Sequence, residues 1–257
     1  MSAGGDKRSI SLNKIVIFGD SLTQKANEQD TGFGLVPALQ DLYTRKFDVL
    51  TRGFMGYTSA HGRYMIDPIL DAEHRPKDNC TVELLILFWG SNDSTLEEWP
   101  SHVPIPDYLD NMRYMIKAAQ SRGISRIILV APALYDEIKG YPDNSVMKFL
   151  EYGQALKTLT SEFDVGFIDL WHEFTDYLGW KEGDPVPGKL GDNSPIDLVN
   201  LLPDSIHFSG EAYRIYYNAL IKVIDDKFPD IKSDNLTEIM PPWDSIPIKE
   251  LPDCLWK

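Results

Sequence analysis

Residue types suited to nucleophilic chemistry follow several apolar runs in this sequence. Gly19-Asp20-Ser21 comes directly after a run rich in β-branched residues. A glycine there permits a tight turn, which would expose Ser21 with its backbone N–H beside its own Oγ. This placement suits a nucleophile, but Ser21 would equally suit the N-cap of a following helix. The tripeptide alone leaves both interpretations open.

Two further turns offer neutral hydrogen-bond donors. Gly56 ends a glycine-punctuated stretch, where it either brings an N–H close to a substrate oxygen or simply turns the chain. Asn92 lies in Gly90-Ser91-Asn92-Asp93, after the strongest apolar run. Its amide can hold a developing oxyanion, although such a tetrad is also typical of an Asx turn. Neither motif by itself assigns an oxyanion hole.

Two Asp-x-x-His motifs compete for the role of general base. Asp204 and His207 precede the last predicted helix, whereas Asp169 and His172 follow a predicted strand. In both, three residues on a turn can bring the carboxylate to the imidazole, so that one loop supplies the base and the group that orients it. Spacing does not choose between the two motifs. Aromatic neighbours of His172 mildly favour a packing role for that copy.

These motifs lie at the ends of elements that alternate along the chain. Short apolar runs predict strands, and apolar residues at helical spacing predict helices. The predicted strands cover 14–18, 48–50, 82–89, 127–131 and 165–169, and the predicted helices 35–47, 59–70, 106–123, 145–163 and 209–227. This alternation predicts an α/β fold with a parallel sheet covered on both faces. Ligands of such sheets bind beyond the carboxyl ends of the strands, where all the motifs above lie.

Chain length and the positions of proline and glycine predict one domain with two flanking segments. The chain has 257 residues, within the usual range of a single α/β domain. We expect a loose N-terminal segment over 1–13, the domain over 14–228 and a proline-rich strap over 229–257. Residues 181–203 are polar and rich in glycine and proline, which predicts a long loop.

Composition limits the classes of partner. The net charge of 25 − 39 = −14 would repel phosphate backbones and anionic lipid, so we expect neither nucleic acid nor a membrane as partner. The longest apolar run, over 84–89, is far shorter than the roughly 20 residues of a membrane helix. The first residues contain no apolar segment of a secretory signal. These features predict a soluble, cytoplasmic protein.

The cysteines predict neither a disulfide framework nor a metal centre. Cys80 and Cys254 would pair only if the tail folded back across the domain, and we expect two unpaired thiols. Cysteine and histidine are not grouped at metal-ligand spacing, which argues against a structural zinc site.

Taken together, the four polar blocks resemble the SGNH (GDSL) hydrolases. Gly19-Asp20-Ser21-Leu22, Gly56 in its G-x-x-G turn, Gly90-Ser91-Asn92-Asp93 and Asp204-Ser205-Ile206-His207 stand in family order over 19–207. Residues 52–59 and 207–210 are further similar to the isoamyl acetate-hydrolysing esterase branch known from fungi and plants. The resemblance implies a three-layer α/β/α sandwich with a mostly parallel, flavodoxin-like sheet.

The resemblance also implies a role for each residue. Ser21 would be the nucleophile, His207 the base and Asp204 the group that orients it. The oxyanion donors would be the N–H groups of Ser21 and Gly56 and the side chain of Asn92. The resemblance thereby selects the 204–207 pair over the 169–172 pair as base and orienting group. It implies no metal or organic cofactor.

The leading hypothesis is a serine esterase for short-chain acyl esters, such as acetates of small alcohols. A carbohydrate deacetylase, or a lysophospholipase or thioesterase, would use the same residues on other substrates. A non-catalytic binding protein of this fold is the alternative from another class, and the complete set of site residues weighs against it. Trp89 would narrow the acyl pocket if its ring faces the substrate. The loop over 181–203 is a candidate for a lid or a homodimer contact.

Overall fold

The predicted alternation of strands and helices is present in the computed structural model, which describes residues 11–30, 32–246 and 248–250. The strands are β1 (Asn13–Gly19), β2 (Phe47–Gly53), β3 (Val82–Phe88), β4 (Ile127–Val130) and β5 (Gly166–Ile168). The helices are α1 (Ser21–Gln24), α2 (Leu35–Leu42), α3 (Ser59–Glu73), α4 (Ile105–Ser121), α5 (Val146–Lys157), α6 (Leu170–Tyr177) and α7 (Gly210–Lys227).

The five strands form one parallel sheet in the order β2-β1-β3-β4-β5. The winding of the chain reverses between β1 and β3, so the segments that leave these two strands diverge and open a crevice at their carboxyl ends. Ser21 follows β1 and Asn92 follows β3. The topology therefore places both residues at this crevice.

Helices cover both faces of the sheet. Successive side chains of a strand point to opposite faces. Ile15 and Ile17 pack in a hydrophobic cluster with α1, α2, α6 and α7. Val16 and Phe18 pack in a second cluster with α3 and α4. Residues of α5 contribute to both clusters. Since helices pack on both faces of the sheet, the predicted three-layer α/β/α architecture is confirmed.

The fourth helix shows how local signals set the ends of an element. Pro106 lies in the first turn of α4, where its missing N–H costs nothing. After the helix, Gly123 adopts a φ of +86°. Its N–H donates to the carbonyl of Gln120 at 3.0 Å, and the N–H of Ile124 donates to that of Ala119 at 3.1 Å. These two bonds form a Schellman motif, so the predicted glycine cap is present.

The helix predicted over 35–47 is wrong at its C-terminal end. It stops at Leu42, and Phe47 already belongs to β2. The rings of Tyr43 and Phe47 stack with their centroids 5.5 Å apart. Their helix-like spacing therefore reflects a contact between a turn and a strand.

The helix predicted over 145–163 also ends early. After α5 the chain tightens into a 3₁₀ turn over Thr158–Ser161. Leu159 remains fully buried in the core. Its side chain thus continues the apolar period after the α-helical hydrogen bonding has stopped.

Residues 181–203 contain no helix or strand, as predicted, but they are well anchored. The N–H of Glu137 donates to the carbonyl of Gly188 at 2.8 Å, and its Oε2 accepts the N–H of Leu190 at 3.1 Å. Leu198 and Leu202 are buried in the core. The lid and homodimer interpretations of this loop stay predictions.

The described part of the C-terminal segment is an irregular strap. Tyr43 Oη donates to the carbonyl of Ile231 at 3.0 Å, and Lys46 Nζ donates to that of Ser233 at 2.9 Å. Four 3₁₀ turns make up most of the strap: Pro229–Ile231, Ser233–Asn235, Trp243–Ser245 and Ile248–Glu250.

The structure describes only one of the two cysteines. Cys80 is buried and has a free thiol. Cys254 lies outside the described residues, as do residues 1–10 of the predicted N-terminal segment. Within the described part of the chain, none of the helices combines the length and apolar character needed to span a bilayer.

Candidate active site

Ser21 lies at the first turn after the central strand β1. A side chain at Gly19 would collide with the carbonyl oxygen of Phe88, so only glycine lets β1 and β3 approach each other this closely at their ends. Asp20 then caps α1, since its Oδ1 accepts the N–H of Leu22 at 2.9 Å. The N-cap role considered for Ser21 therefore belongs to Asp20, and the hydroxyl of Ser21 is left for another partner.

That partner is His207. Its Nε2 lies 3.0 Å from Oγ of Ser21, and its Nδ1 lies 2.7 Å from Oδ2 of Asp204. A carboxylate accepts only, so Nδ1 carries the proton and the unprotonated Nε2 accepts from the serine hydroxyl. The structure therefore brings the three predicted catalytic residues into one hydrogen-bonded chain.

The loop that carries Asp204 and His207 is held at both ends. Ser205 adopts a φ of +81°, which is rare for a residue with a side chain. Its carbonyl accepts the N–H of Asp136 at 3.0 Å, which holds this conformation. Beyond His207, Ser209 caps α7 as predicted, with its Oγ accepting an N–H of the first turn. The imidazole thus sits on a short, doubly anchored turn.

A second contact ties the base to the nucleophile. Tyr213, one turn into α7, donates from its Oη to the carbonyl of Leu22 at 2.8 Å. Leu22 directly follows Ser21 in α1. Because α7 begins immediately after the turn that bears His207, this bond fixes the two elements relative to each other.

The electrostatics of the pair favour a charged carboxylate. Partial burial favours the neutral form of Asp204, but hydrogen bonds from the backbone N–H and the imidazole of His207 outweigh it and lower the pKa of the carboxyl. An ionised Asp204 stabilises the imidazolium that forms when His207 takes a proton.

The predicted oxyanion donors lie at the same end of the crevice. Gly56 has a φ of +76°, and its N–H has no hydrogen-bond partner among the described residues. The turn that carries Gly56 is joined to the end of β1, since the N–H of Phe54 donates to the carbonyl of Gly19 at 3.0 Å. Nδ2 of Asn92 donates to the carbonyl of Tyr57 at 2.8 Å, which leaves its second N–H available.

Asp93 and Ser59 form a clamp that the sequence did not reveal. Asp93 is buried, and its carboxylate accepts both the backbone N–H and the hydroxyl of Ser59, the first residue of α3. Asn111 donates from Nδ2 to the same hydroxyl at 3.1 Å. The clamp joins the loop of Asn92 to the helix that follows the Gly56 turn. No spacing in the sequence links these residues, because their contact depends on how α3 packs.

Burial also perturbs the two carboxyls behind the nucleophile. Burial raises the pKa of Asp20 to about 7, and the nearby charge of Asp93 adds to the rise. Burial raises the pKa of Asp93 to about 6 despite the hydrogen bonds from Ser59. Low-dielectric surroundings disfavour the charged form of both groups.

The competing Asp-x-x-His motif lies elsewhere. Asp169 caps α6, and its Oδ2 lies 2.9 Å from Nδ1 of His172. β5, which precedes this motif, is the third strand from β1, about 14 Å away at normal strand spacing. The expected packing role for His172 is met only in part: its ring meets that of buried Trp171 edge-on with centroids 4.9 Å apart, whereas its side chain is 48% exposed.

Trp89 faces the core. Its side chain is fully buried and meets the ring of Phe18 edge-on, with centroids 4.9 Å apart. A Cβ at Gly62 in α3 would touch the indole, which shows how tightly that helix covers it. Trp89 therefore does not narrow the acyl pocket.

A cleft of about 300 Å³ opens beside the imidazole. Its lining includes Asn92, Ser205 and His207 together with Tyr141 and Asp143. Among the described residues, no group of three or more His, Cys, Asp or Glu side chains is arranged to hold a metal ion.

Attack by the hydroxyl of Ser21 would use the hydrogen bonds that join it to His207 and His207 to Asp204. In class, the protein is an α/β serine hydrolase. The chain belongs to the GDSL-like lipase/acylhydrolase family, which matches residues 17–215. The family resemblance noted in the sequence is thereby confirmed, and with it the assignment as a carboxylic ester hydrolase.

Curated relatives cover most of the chain. The isoamyl acetate-hydrolyzing esterase of Saccharomyces cerevisiae is 30% identical over 90% of this chain and 93% of its own length. The GDSL esterase/lipase WDL1 of Oryza sativa is 27% identical over 82% of this chain and 77% of its own. Among solved structures, an acetylxylan esterase from Geobacillus stearothermophilus superposes with a TM-score of 0.60 at 18% identity, covering 83% and 94% of the two chains. That likeness supports the fold.

Replacing Asn92 by alanine tests its place in the site. Loss of one oxyanion donor lowers the rate by roughly 10²–10³, so we expect a fall of that size in kcat/KM for an acetate ester while the fold persists. Asn235→Ala is the matched control, because this exposed amide also donates to a backbone carbonyl. A loss below about threefold in Asn92→Ala, measured beside an intact thermal unfolding curve, would remove Asn92 from the site.

Proposed function

We propose that this protein hydrolyses short-chain acyl esters, of the acetate type, of small alcohols through an acyl-enzyme on Ser21. The hydrogen-bonded chain from Asp204 through His207 to Ser21 carries the proposal. It joins the hydroxyl of Ser21 to a base of suitable tautomer, and His207, that base, lines a cleft. Gly56 and Asn92 supply the N–H groups that such a reaction needs.

Acylation begins with attack of Ser21 Oγ on the ester carbonyl carbon. As the C–O bond forms, the hydroxyl proton passes to Nε2 of His207, and the carbonyl oxygen becomes an oxyanion. The N–H groups of Ser21, Gly56 and Asn92 stabilise this oxyanion. When the intermediate collapses, the bond to the alcohol oxygen breaks, and that oxygen takes the proton from His207.

Deacylation repeats these steps with water. Nε2 of His207 accepts a proton from water as its oxygen attacks the acyl carbon. The bond from that carbon to Ser21 Oγ then breaks, and the proton on His207 returns to Oγ. The carboxylic acid leaves, and the enzyme is restored.

The preference for small esters has two supports. The first is the name of the yeast relative, which describes an enzyme that hydrolyses isoamyl acetate. The second is the size of the cleft, because about 300 Å³ is at the small end of the roughly 300–1,000 Å³ usual for ligand pockets. An ester much larger than the acetate of a small alcohol would extend beyond it into solvent.

A series of p-nitrophenyl esters from acetate to palmitate tests the proposal. We expect kcat/KM to be highest for acetate and to fall by at least about tenfold beyond butyrate, because longer chains gain no enclosed apolar contact. A maximum at palmitate would instead favour the lysophospholipase or thioesterase alternative. Hydrolysis of none of the esters would contradict the proposal.

A further inference from the structure

We propose that the cleft beside His207 is a subsite for a neutral, hydroxylated alcohol, with the carboxylate of Asp143 as its main hydrogen-bond acceptor. The inference rests on the proposed function and specifies the alcohol half of its substrate. It predicts that esters of polyols, with glycerol or a monosaccharide as examples, are better substrates than esters of alkyl alcohols.

The chemistry of the triad places the alcohol in this cleft. His207 gives its proton to the alcohol oxygen as the tetrahedral intermediate collapses, so that oxygen must lie within hydrogen-bond reach of Nε2. Tyr141 and Asp143 line the same cleft as His207. The rest of the alcohol therefore faces these two residues.

The cleft offers a carboxylate oxygen that has no partner in the described part of the chain. Oδ1 of Asp143 lies 3.2 Å from Oη of Tyr135, whereas Oδ2 has no hydrogen-bond partner among the described residues. The side chain of Tyr141 is 79% exposed, so its ring and hydroxyl are accessible at the rim. Ser101 also lines the cleft, and its Oγ lies 2.9 Å from Oγ1 of Thr95. A carboxylate with a free oxygen accepts from a substrate hydroxyl, and an exposed tyrosine offers both an apolar face and a polar tip.

An alkyl alcohol leaves the carboxylate of Asp143 without a hydrogen bond. Seating an apolar chain against Asp143 removes water from the carboxylate and returns no hydrogen bond, which costs free energy. A hydroxyl at the same place replaces the lost water. Apolar atoms form the larger share of the exposed lining, so both alcohols gain apolar contact there, and the hydrogen bond to Asp143 is what distinguishes them.

The charge of the cleft selects against anionic alcohols. Both Asp143 and Asp204 line it, and neither lysine nor arginine is among its described lining residues. The whole chain carries a net charge of −14. A phosphate or carboxylate on the alcohol would meet charges of its own sign without a cation to balance them.

Two esters of equal size separate the alternatives. Glycerol monoacetate and isoamyl acetate have the same number of non-hydrogen atoms, the same acyl group and alcohols of opposite polarity. We expect kcat/KM to be about tenfold higher for the glycerol ester, the usual worth of a hydrogen bond to a charged group. Acetoxyacetate, whose alcohol half bears a carboxylate, should be hydrolysed more slowly than glycerol monoacetate.

Variants assign the preference to Asp143. Asp143→Leu should lower the ratio of kcat/KM for the glycerol ester to that for the isoamyl ester about tenfold, and Asp143→Asn should retain part of it. Asp226→Leu, on the outer surface of α7, is the matched control and should leave the ratio unchanged. The wild-type ratio needs no variant, so it remains informative if Asp143→Leu does not fold.

The outcomes distinguish this inference from the proposed function. The polyol subsite would be overturned if the active enzyme preferred isoamyl acetate. It would also be overturned if the ratio of kcat/KM for the two esters did not change in either soluble Asp143 variant. Both outcomes would leave the esterase proposal standing. A rate for acetoxyacetate equal to that for glycerol monoacetate would overturn the selection against anionic alcohols. A wild-type protein that hydrolyses none of these esters, nor p-nitrophenyl acetate, would overturn both proposals.

Discussion

Replacing Ser21 by alanine is expected to lower kcat/KM for p-nitrophenyl acetate by about 10⁶-fold, the scale at which loss of the nucleophile disables a triad. The reason is geometric: Oγ of Ser21 is the hydroxyl oxygen that lies 3.0 Å from Nε2 of His207. Initial rates of wild type and variant, measured side by side, give this ratio.

The control for this experiment is Ser91→Ala. Ser91 is also buried and follows the neighbouring strand β3, but its hydroxyl makes no hydrogen bond with the described residues. We expect its kcat/KM to stay within about threefold of wild type. Labelling with a fluorophosphonate adds a readout that does not depend on turnover, since it should modify wild type and Ser91→Ala but not Ser21→Ala. Equal activity of wild type and Ser21→Ala would show that Ser21 is not the nucleophile.

Replacing His207 by alanine should be nearly as damaging as loss of the serine. Without the imidazole, no base accepts the proton of the Ser21 hydroxyl, so we expect a loss of about 10⁶-fold in kcat/KM. The double variant Ser21→Ala, His207→Ala should lose little more than either single variant, because residues that act as one unit are not additive. Steady-state kinetics with p-nitrophenyl acetate measures all three.

His172→Ala provides a matched control within the same chain. His172 has the same spacing from an aspartate and the same contact through Nδ1, but its side chain is exposed on α6. We expect its activity to stay within about threefold of wild type. The reverse pattern, with His172 essential and His207 dispensable, would move the general base to the second motif.

Several structural elements were predictable because their signals are local. The apolar run over 14–18 forms β1, and Ser209 and Gly123 lie at helix ends where they were expected. A cap or a buried strand depends on residues close in sequence and on one burial pattern. The end of α2 was mispredicted, since Phe47 shares the helical spacing but pairs with β1.

The predicted active site depended on family order more than on any single motif. Gly56 and Asn92 each had an equally ordinary explanation as turn residues. Asp93 escaped notice as a functional residue because its partner, Ser59, lies on a different element. The two meet only when α3 packs on the sheet. Residue spacing along the chain does not predict contacts between distant segments such as this one.

The two Asp-x-x-His motifs separate what the sequence determined from what the tertiary structure decided. By itself the sequence determined an α/β chain with reactive residue types at its strand ends, and it also determined the local geometry of both motifs. In each motif the aspartate accepts the backbone N–H of the histidine and contacts Nδ1, at 2.7 Å for His207 and 2.9 Å for His172. Three-residue spacing is sufficient for that. Only the tertiary structure brings Nε2 of His207 to Ser21, because the long segment after α6 carries the chain back to the end of β1, while His172 lies in α6, directly after the edge strand β5.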